Sequence, residues 1–584
     1  MPFFYNRIPA RQYRLRHPFQ AHLRLCACIS LLLAAAANAQ ALEPSIQQLL
    51  MDRVTRIEAG ETVTIEDSEV ASRILLPAIY RAHDYVPLWH NPRSVEQLLA
   101  AIRASELDGL TPSDYNLHAL ETLLLQRRKD LAENDLACNL DLLLTDSLVR
   151  LGYHLSFGKV DPEALDPDWN MTRYIEDMDT LVQQAEAIET GNVDVLLQSL
   201  RPQAPAYAHL QAALAQYRDL QARGGWQAVA PGETLKPGMS GERVAALRRR
   251  LLVTADMQPG SGDPASFDAT LEAEVRAFQQ RHGLEDDGIV GRSTLAALNV
   301  PVEQRIDQIR ANLERARWVL HDLPETYILV DIAGFRVTYT RNGEVIWQTR
   351  AQVGRPFRKT PVFRARMTYL EVNPTWTVPP TILREDVLPA IKRDPAYLAQ
   401  KNMQVIDYDG KPVDTTTLDW QRYTGRNFPY LIRQGPGPEN ALGRIKFMFP
   451  NKHLVYLHDT PSKALFGKAT RAFSSGCIRI EHPYDLAGLL LEGDPDWDRE
   501  KVIAAVDSLQ TRTISLRQPV SIILLYWTVD FTPDGRVAFK QDIYGRDPAI
   551  VRGLNAGFRF RGSAIIREQL QSGIPPAQQQ GFSL

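Results

Sequence analysis

Two side chains late in the chain have the types and spacing for covalent acyl transfer. Cys477 lies in Arg471-Ala-Phe-Ser-Ser-Gly-Cys477-Ile-Arg479, and His458 lies nineteen residues upstream in Tyr456-Leu-His458-Asp-Thr-Pro461. A thiol attacks as thiolate and has a free pKa of about 8.5, so it needs a base or positive surroundings. Imidazole titrates near pH 6.5, so His458 is the candidate base. Gly476 has no Cβ and lets backbone approach a ligand. The N–H groups around Gly476 and Cys477 are natural oxyanion donors, with Ser475 supporting the same turn and the Tyr456 hydroxyl adding to them. Arg479 alternates with Cys477. It either seats a substrate carboxylate, raises the local potential, or serves as a structural ion-pair partner. No histidine spacing suggests a metal, and the chemistry requires no cofactor.

Such residues need a sheet to hold them. From Tyr327 the sequence turns β-rich: Tyr327–Asp331 and Phe335–Tyr339 read as strands, and Asn342-Gly343 as a tight hairpin turn into Val345–Trp347. Ile445–Phe449 alternates, turns at Pro450-Asn-Lys452 and returns through Leu454–His458, so His458 ends a strand. Pro483 starts a helix, and Val520–Val529 and Val537–Ile543 read as later strands. Within this domain, 326–550, residues 374–431 lack a strong strand pattern and are rich in Pro, Asp, Lys and Tyr. They read as an inserted lid subdomain, with a plain surface excursion as the alternative. Residues 568–584 read as a disordered tail.

The remaining chain supports a multidomain α+β protein. At 584 residues it has length for about three or four domains. Its net charge of −3 gives no global reason to expect nucleic-acid binding. Residues 1–39 read as a signal peptide: a basic start, an apolar run Leu25–Ala37, and Ala37-Asn-Ala39 at the cleavage site. No later stretch is apolar enough for a membrane span of about 20 residues. Removal of the signal takes Cys26 and Cys28 with it and leaves Cys138 and Cys477. Cys138 falls in an apolar helical run and reads as a packed core thiol, a single disulfide with Cys477 being the alternative. Residues 40–228 read as a helical scaffold, with a 3.6-residue period through Leu136–Leu151; Asp141 and Asp146 read as a solvated face of it. Residues 301–325 read as a linker helix.

Residues 232–300 carry Val244, Leu247 and Leu251 on one helix face and Leu271, Val275 and Phe278 on a second. Asp287-Gly-Ile-Val-Gly291 then turns into a third helix. This pattern resembles the three-helix peptidoglycan-binding module. The pair Tyr456-Leu-His458-Asp-Thr-Pro461 and Ser474-Ser-Gly-Cys477-Ile-Arg479 resembles the L,D-transpeptidase catalytic domain of the YkuD type. Arg433-Gln-Gly-Pro-Gly-Pro-Glu-Asn440-Ala-Leu-Gly443-Arg-Ile-Lys446-Phe447 looks like the segment before the active site in its large, YcbB-like subclass. Many members carry histidine two residues before the cysteine. This chain has Ser475, as that subclass does, so the base function falls on His458.

The resemblance implies an exported, periplasmic cysteine enzyme of wall biogenesis. Cys477 would attack the diamino-acid carbonyl of a tetrapeptide stem, release the terminal D-alanine, and pass the acyl group to a second stem in a 3→3 cross-link. Alternatives are the same catalyst as an L,D-carboxypeptidase or as an enzyme anchoring protein to the wall, and a non-catalytic wall-binding scaffold. Arg433, Asn440 and Lys446 would then be substrate contacts or loop and sheet supports. Implied partners are stem peptides and glycan, with other wall-synthesis enzymes beside them.

Overall fold

The computed structural model describes residues 44–129, 133–173, 179–260 and 263–560. The expected signal peptide and tail lie outside them. Helices dominate up to Ala222. The first, Ile46–Glu58, starts on a capping box in which Ser45 and Gln48 satisfy each other's backbone N–H. The scaffold is organised around Asn134–Phe157, a 24-residue helix buried along most of its length. Asp141 and Asp146 lie on it, and both are buried, which corrects the reading of a solvated face. Asp141 accepts from Tyr80 Oη and from the Leu88 and Trp89 amides. Asp146 accepts from the Ala71 and Ser72 amides and pairs with Arg150. Each carboxylate thus satisfies the otherwise orphaned amides of a neighbouring loop. A small hairpin, β1 (Thr64–Ile65) and β2 (Ser68–Glu69), sits at the scaffold's edge. Cys138 is fully buried, its thiol pKa pushed up to about 12 by desolvation, and both Cys138 and Cys477 are free thiols.

Three helices, Glu242–Val253, Ala269–Arg281 and Arg292–Leu298, enclose a separate core of Val244, Leu247, Leu251, Leu271, Val275 and Phe278. The helix Val302–Val319 follows. It buries Ile309, Leu313, Ala316 and Val319, and Asn312, Glu314, Arg315 and Arg317 are buried too. Arg317 pairs with Glu314 and donates to the Asp108 carbonyl and Tyr207 Oη; Arg315 pairs with Asp547. The helix is therefore an internal pillar between scaffold and sheet.

The catalytic sheet contains β3 (Tyr327–Asp331), β4 (Arg336–Arg341), β5 (Glu344–Gly354), β6 (Phe363–Val372), β10 (Ile445–Met448), β11 (Leu457–His458), β12 (Ala472–Ser474), β13 (Ile478–Ile480) and β14 (Arg512–Leu525). Its order is β12-β5-β13-β11-β10-β6-β14-β3-β4, and β4 pairs back onto β5, so the sheet closes on itself. Asn342 and Gly343 both have positive φ, the conformation that a two-residue hairpin turn of this hand demands. The insertion between β6 and β10 has its own sheet, β7 (Trp376–Thr377), β9 (Leu431–Gln434) and β8 (Met403–Ile406), in that order. Helical turns from Pro380 to Arg393 pack on it around Ile391, Val405, Trp420 and Ile432. A last pair, β15 (Val529–Phe531) and β16 (Val537–Phe539), meets the three-helix unit, where His282 stacks on Phe539 and hydrogen-bonds its carbonyl.

The helix Asp547–Asn555 then leads the chain back to the scaffold. Lys159 Nζ donates to the carbonyls of Leu554 and Ala556, His154 meets the Arg559 carbonyl, and Arg150 lies over Phe558.

Candidate active site

Parallel pairing of β11 with β13 sets His458 beside Arg479. Continuing that register by one residue sets Tyr456 beside Cys477, and the Ile478 amide donates to the Tyr456 carbonyl at 3.1 Å. Because side chains alternate along strands, Tyr456, His458, Cys477 and Arg479 share one face. His458 and Cys477 are diagonal neighbours on it, with Cα atoms about 8 Å apart from standard strand spacings. The sequence reading brings imidazole and thiol directly together. In the structure the Tyr456 hydroxyl and amide and, at 3.9 Å, the Leu454 carbonyl lie beside the sulfur. The diagonal register is the reason: Tyr456, not His458, is the cross-strand partner.

His458 is 3% exposed, and its Nδ1 hydrogen-bonds the Asp459 carbonyl. A carbonyl only accepts, so the proton sits on Nδ1 and Nε2 keeps the lone pair. Asp459 is itself fixed, its carboxylate accepting from the Arg444 amide and Lys463. Burial, then Arg479, lowers the His458 pKa to about 3, against the carbonyls of Asp459 and Leu442. The imidazole is therefore neutral at physiological pH. Burial raises the Cys477 pKa, opposed by Tyr456, Arg479 and Lys446. Both shifts act in the same sense, favouring the thiol over the thiolate and the imidazole over the imidazolium.

Arg479 has no carboxylate partner among the described residues. Its Nη1 reaches Gln352 Oε1 at 3.3 Å, and its buried Nε has no partner. Of the three readings offered by sequence, the structural ion pair is excluded here. Lys446 lies 4.4 Å from the Tyr456 ring centre and pairs loosely with Glu371 at 4.0 Å, so it packs the tyrosine toward the sulfur.

The turn before the cysteine is held from two sides. Gly476 has φ +120°, a region that favours glycine, and its carbonyl accepts from Thr360 Oγ1 at 2.8 Å. Its N–H donates to Ser474 Oγ, which donates to the Cys477 carbonyl. The expectation that the Gly476 N–H is free for an oxyanion is thereby corrected; that of Cys477 has no hydrogen-bond partner among the described residues. Ser475 is exposed and accepts from Arg358 at 2.7 Å.

Asn440 and Arg433, read from sequence as substrate contacts or as loop and sheet supports, both have structural partners. Asn440 is 1% exposed, its amide donating to the Pro374 and Gly435 carbonyls and its oxygen accepting from the Leu442 amide. It ties the base of the insertion together and has no group left for a ligand. Arg433 is half-buried on β9 of the insertion, near Thr377. Arg358 was missed by sequence reasoning. Among the described residues no group of three His, Cys, Asp or Glu is gathered to hold a metal ion.

A cleft of about 1350 Å³ lies between the three-helix unit and the catalytic sheet. Gln279, Arg292 and Thr294 line one side, and Arg350, Lys468 and Arg471 the other. Its wall runs to Phe473, four residues before the thiol.

Comparison with known proteins assigns three segments. Residues 325–503 match the family model of the L,D-transpeptidase catalytic domain, 75–214 that of a scaffold domain, and 240–298 that described as "Putative peptidoglycan binding domain". A Haemophilus influenzae protein named "Putative L,D-transpeptidase" is 35% identical over 223 residues, 38% of this chain. That match spans 45% of the relative's own length. Among solved structures, an L,D-transpeptidase from Stackebrandtia nassauensis is 12% identical, covering 51% of this chain and 96% of its own, with a TM-score of 0.20. One from Xylanimonas cellulosilytica is 15% identical over 51% of this chain and 99% of its own, with a TM-score of 0.17.

Proposed function

From a chain that carries an L,D-transpeptidase catalytic domain, a scaffold domain and a peptidoglycan-binding domain, we propose a peptidoglycan transpeptidase that forms 3→3 cross-links through a cysteine acyl-enzyme. The observation that carries this reading is the shared face of Cys477, Tyr456, His458 and Arg479 on two paired strands.

Cys477 Sγ attacks the carbonyl of the diamino acid in a tetrapeptide stem, and its proton passes to His458 Nε2. Arg479 stabilises the developing thiolate while holding the resting imidazole neutral and able to accept. The oxyanion takes hydrogen bonds from the Cys477 N–H and the Tyr456 hydroxyl. Collapse expels the D-alanine amine, which takes the proton from His458 and leaves a thioester. The side-chain amine of a second stem then attacks the thioester, giving up a proton to His458 and displacing the thiol. Glycan strands lie in the cleft beside the three-helix unit, whose arginines and lysine suit polyanionic stems. This chemistry places the protein in the bacterial envelope, outside the cytoplasmic membrane; among the described residues no helix is long and apolar enough to cross one.

The test is incubation of the full chain with disaccharide-tetrapeptides, read by mass spectrometry. A dimer lighter by one D-alanine, linked diamino acid to diamino acid and absent with Cys477→Ala, is the expected product. Tripeptide alone would make the protein a carboxypeptidase. A dimer that still forms with Cys477→Ala would overturn the mechanism.

A further inference from the structure

The loop Arg355-Pro-Phe-Arg-Lys359 runs between Gly354 and Thr360, directly against the cysteine turn. Arg358 is its centre. Nη1 donates to Ser475 Oγ at 2.7 Å and to Asp386 Oδ2 at 2.7 Å, and Nη2 pairs with Glu385 Oε2 at 2.5 Å. Both carboxylates belong to a π-helical turn, Leu383–Val387, of the insertion. Among the described residues these are the only ion pairs between the insertion and the rest of the chain.

The two sides of this contact differ. The guanidinium side chain is only 10% exposed and its Nε is buried without a partner. The carboxylates are 40% and 45% exposed, and Glu385 is shared with Arg384. Exposed carboxylates held in this way are weakly bound and screened by salt. The arginine is thus built into the body, and its present partners are replaceable. Its planar fork fits one carboxylate through two hydrogen bonds. Ser475 is two residues from Cys477, a reach of at most about 7 Å. A tetrapeptide stem has a carboxylate at that range from the attacked carbonyl, on its terminal residue.

We propose that Arg358 is the seat of the donor stem's terminal carboxylate, and that Glu385 and Asp386 occupy it as internal competitors until substrate displaces them. The inference rests on the transpeptidase reading and adds a subsite to it. Arg355 and Lys359 on the same loop, with no carboxylate partner among the described residues, extend the positive field in which an anionic stem would arrive.

Two donors separate the outcomes: the tetrapeptide stem with a free terminal carboxylate, and the same stem ending in a carboxamide. Release of the terminal residue by the full chain gives kcat and KM for each. The wild type is expected to prefer the acid by roughly ten- to a hundredfold in kcat/KM. Arg358→Gln should lose that preference through KM, with Arg358→Lys keeping part of it. Glu385→Gln with Asp386→Asn should lower KM for the acid and leave KM for the amide nearly unchanged; this variant keeps the arginine and tests the idea even where Arg358→Gln fails to fold. An undiminished preference in Arg358→Gln overturns the subsite. So does a double variant whose only defect is slower capture by amines, which would give the carboxylates to the acceptor's ammonium. Equal release from acid and amide, abolished by Cys477→Ala, overturns the subsite alone. Release from neither overturns the enzyme reading with it.

Discussion

Within the site, Tyr456 and Arg479 have separable tasks. Tyr456→Phe removes a hydroxyl beside the sulfur and nothing from the fold. If that hydroxyl helps hold the oxyanion, kcat/KM should fall about 10²–10³-fold, with thermal stability unchanged. Arg479→Gln removes the cation that both favours the thiolate and opposes the imidazolium. Both pKa values should therefore rise: alkylation of Cys477 should shift to higher pH, and the acid limb of kcat/KM, set in the wild type by a His458 pKa of about 3, should move up into the measurable range. A downward shift of either would contradict the assigned electrostatics. Cys477 and His458 were legible because a Gly-Cys turn among arginines is poor company for a packing thiol. Asn440 was not, because a buried amide that closes a loop and an exposed one that meets ligand are the same letter. Arg358 was invisible for a related reason: one cation among three in five residues has no pattern, and its meaning comes from Ser475, 117 positions away.

At the level of elements, the cysteine turn depends on the loop after β5. A Cβ on Gly354 would lie 2.1 Å from the Arg358 carbonyl and 2.8 Å from the Thr360 amide, both backbone. Gly354→Ala must therefore push the loop away and break the Thr360 contacts to Gly354 and Gly476. Loss of about 2 kcal/mol or more in unfolding free energy, with loss of alkylation selectivity at Cys477, is the expected outcome; denaturant titration measures the first. In the catalytic sheet β3, β4, β10 and part of β14 were legible through alternation and β5 through the Asn342-Gly343 turn, but β6 and β12 were not read. Those of the insertion were not, because two to four residues are too few to display a period. Its core instead depends on residues scattered from Val378 to Ile432.

Across the whole molecule, several histidines are buried in neutral form at contacts between parts. His154 and His458 have pKa values lowered to about 3, His321 to about 4, and His282 well below its ordinary value, in each case chiefly by burial. Unfolding restores a pKa near 6.5, so the stability they contribute is present above pH 6.5 and is lost as pH falls toward 3. The melting temperature should drop steadily between pH 6.5 and 4. His282→Gln should reduce that slope if it keeps the stack on Phe539, as seen by proteolysis of the three-helix unit at pH 5. A flat profile would show that these rings are not held neutral. The pillar helix Val302–Val319 shows the limit of sequence at this scale. It read from sequence as a linker helix, because the burial of Arg315 and Arg317 depends on distant partners, Asp547 for the first and Asp108 and Tyr207 of the scaffold for the second.

The return of residues 554–559 to the scaffold has a temporal consequence. Lys159 finds its carbonyl acceptors 395 and 397 positions later. At ribosomal speeds of about 5–20 residues per second, those acceptors arrive on the order of 20 to 80 s after the lysine. The scaffold is thus completed only after the domains that follow it have been made. During that wait its surface is unfinished, and a chain cut short before Asp547 should be cleared by proteases although every catalytic residue is present.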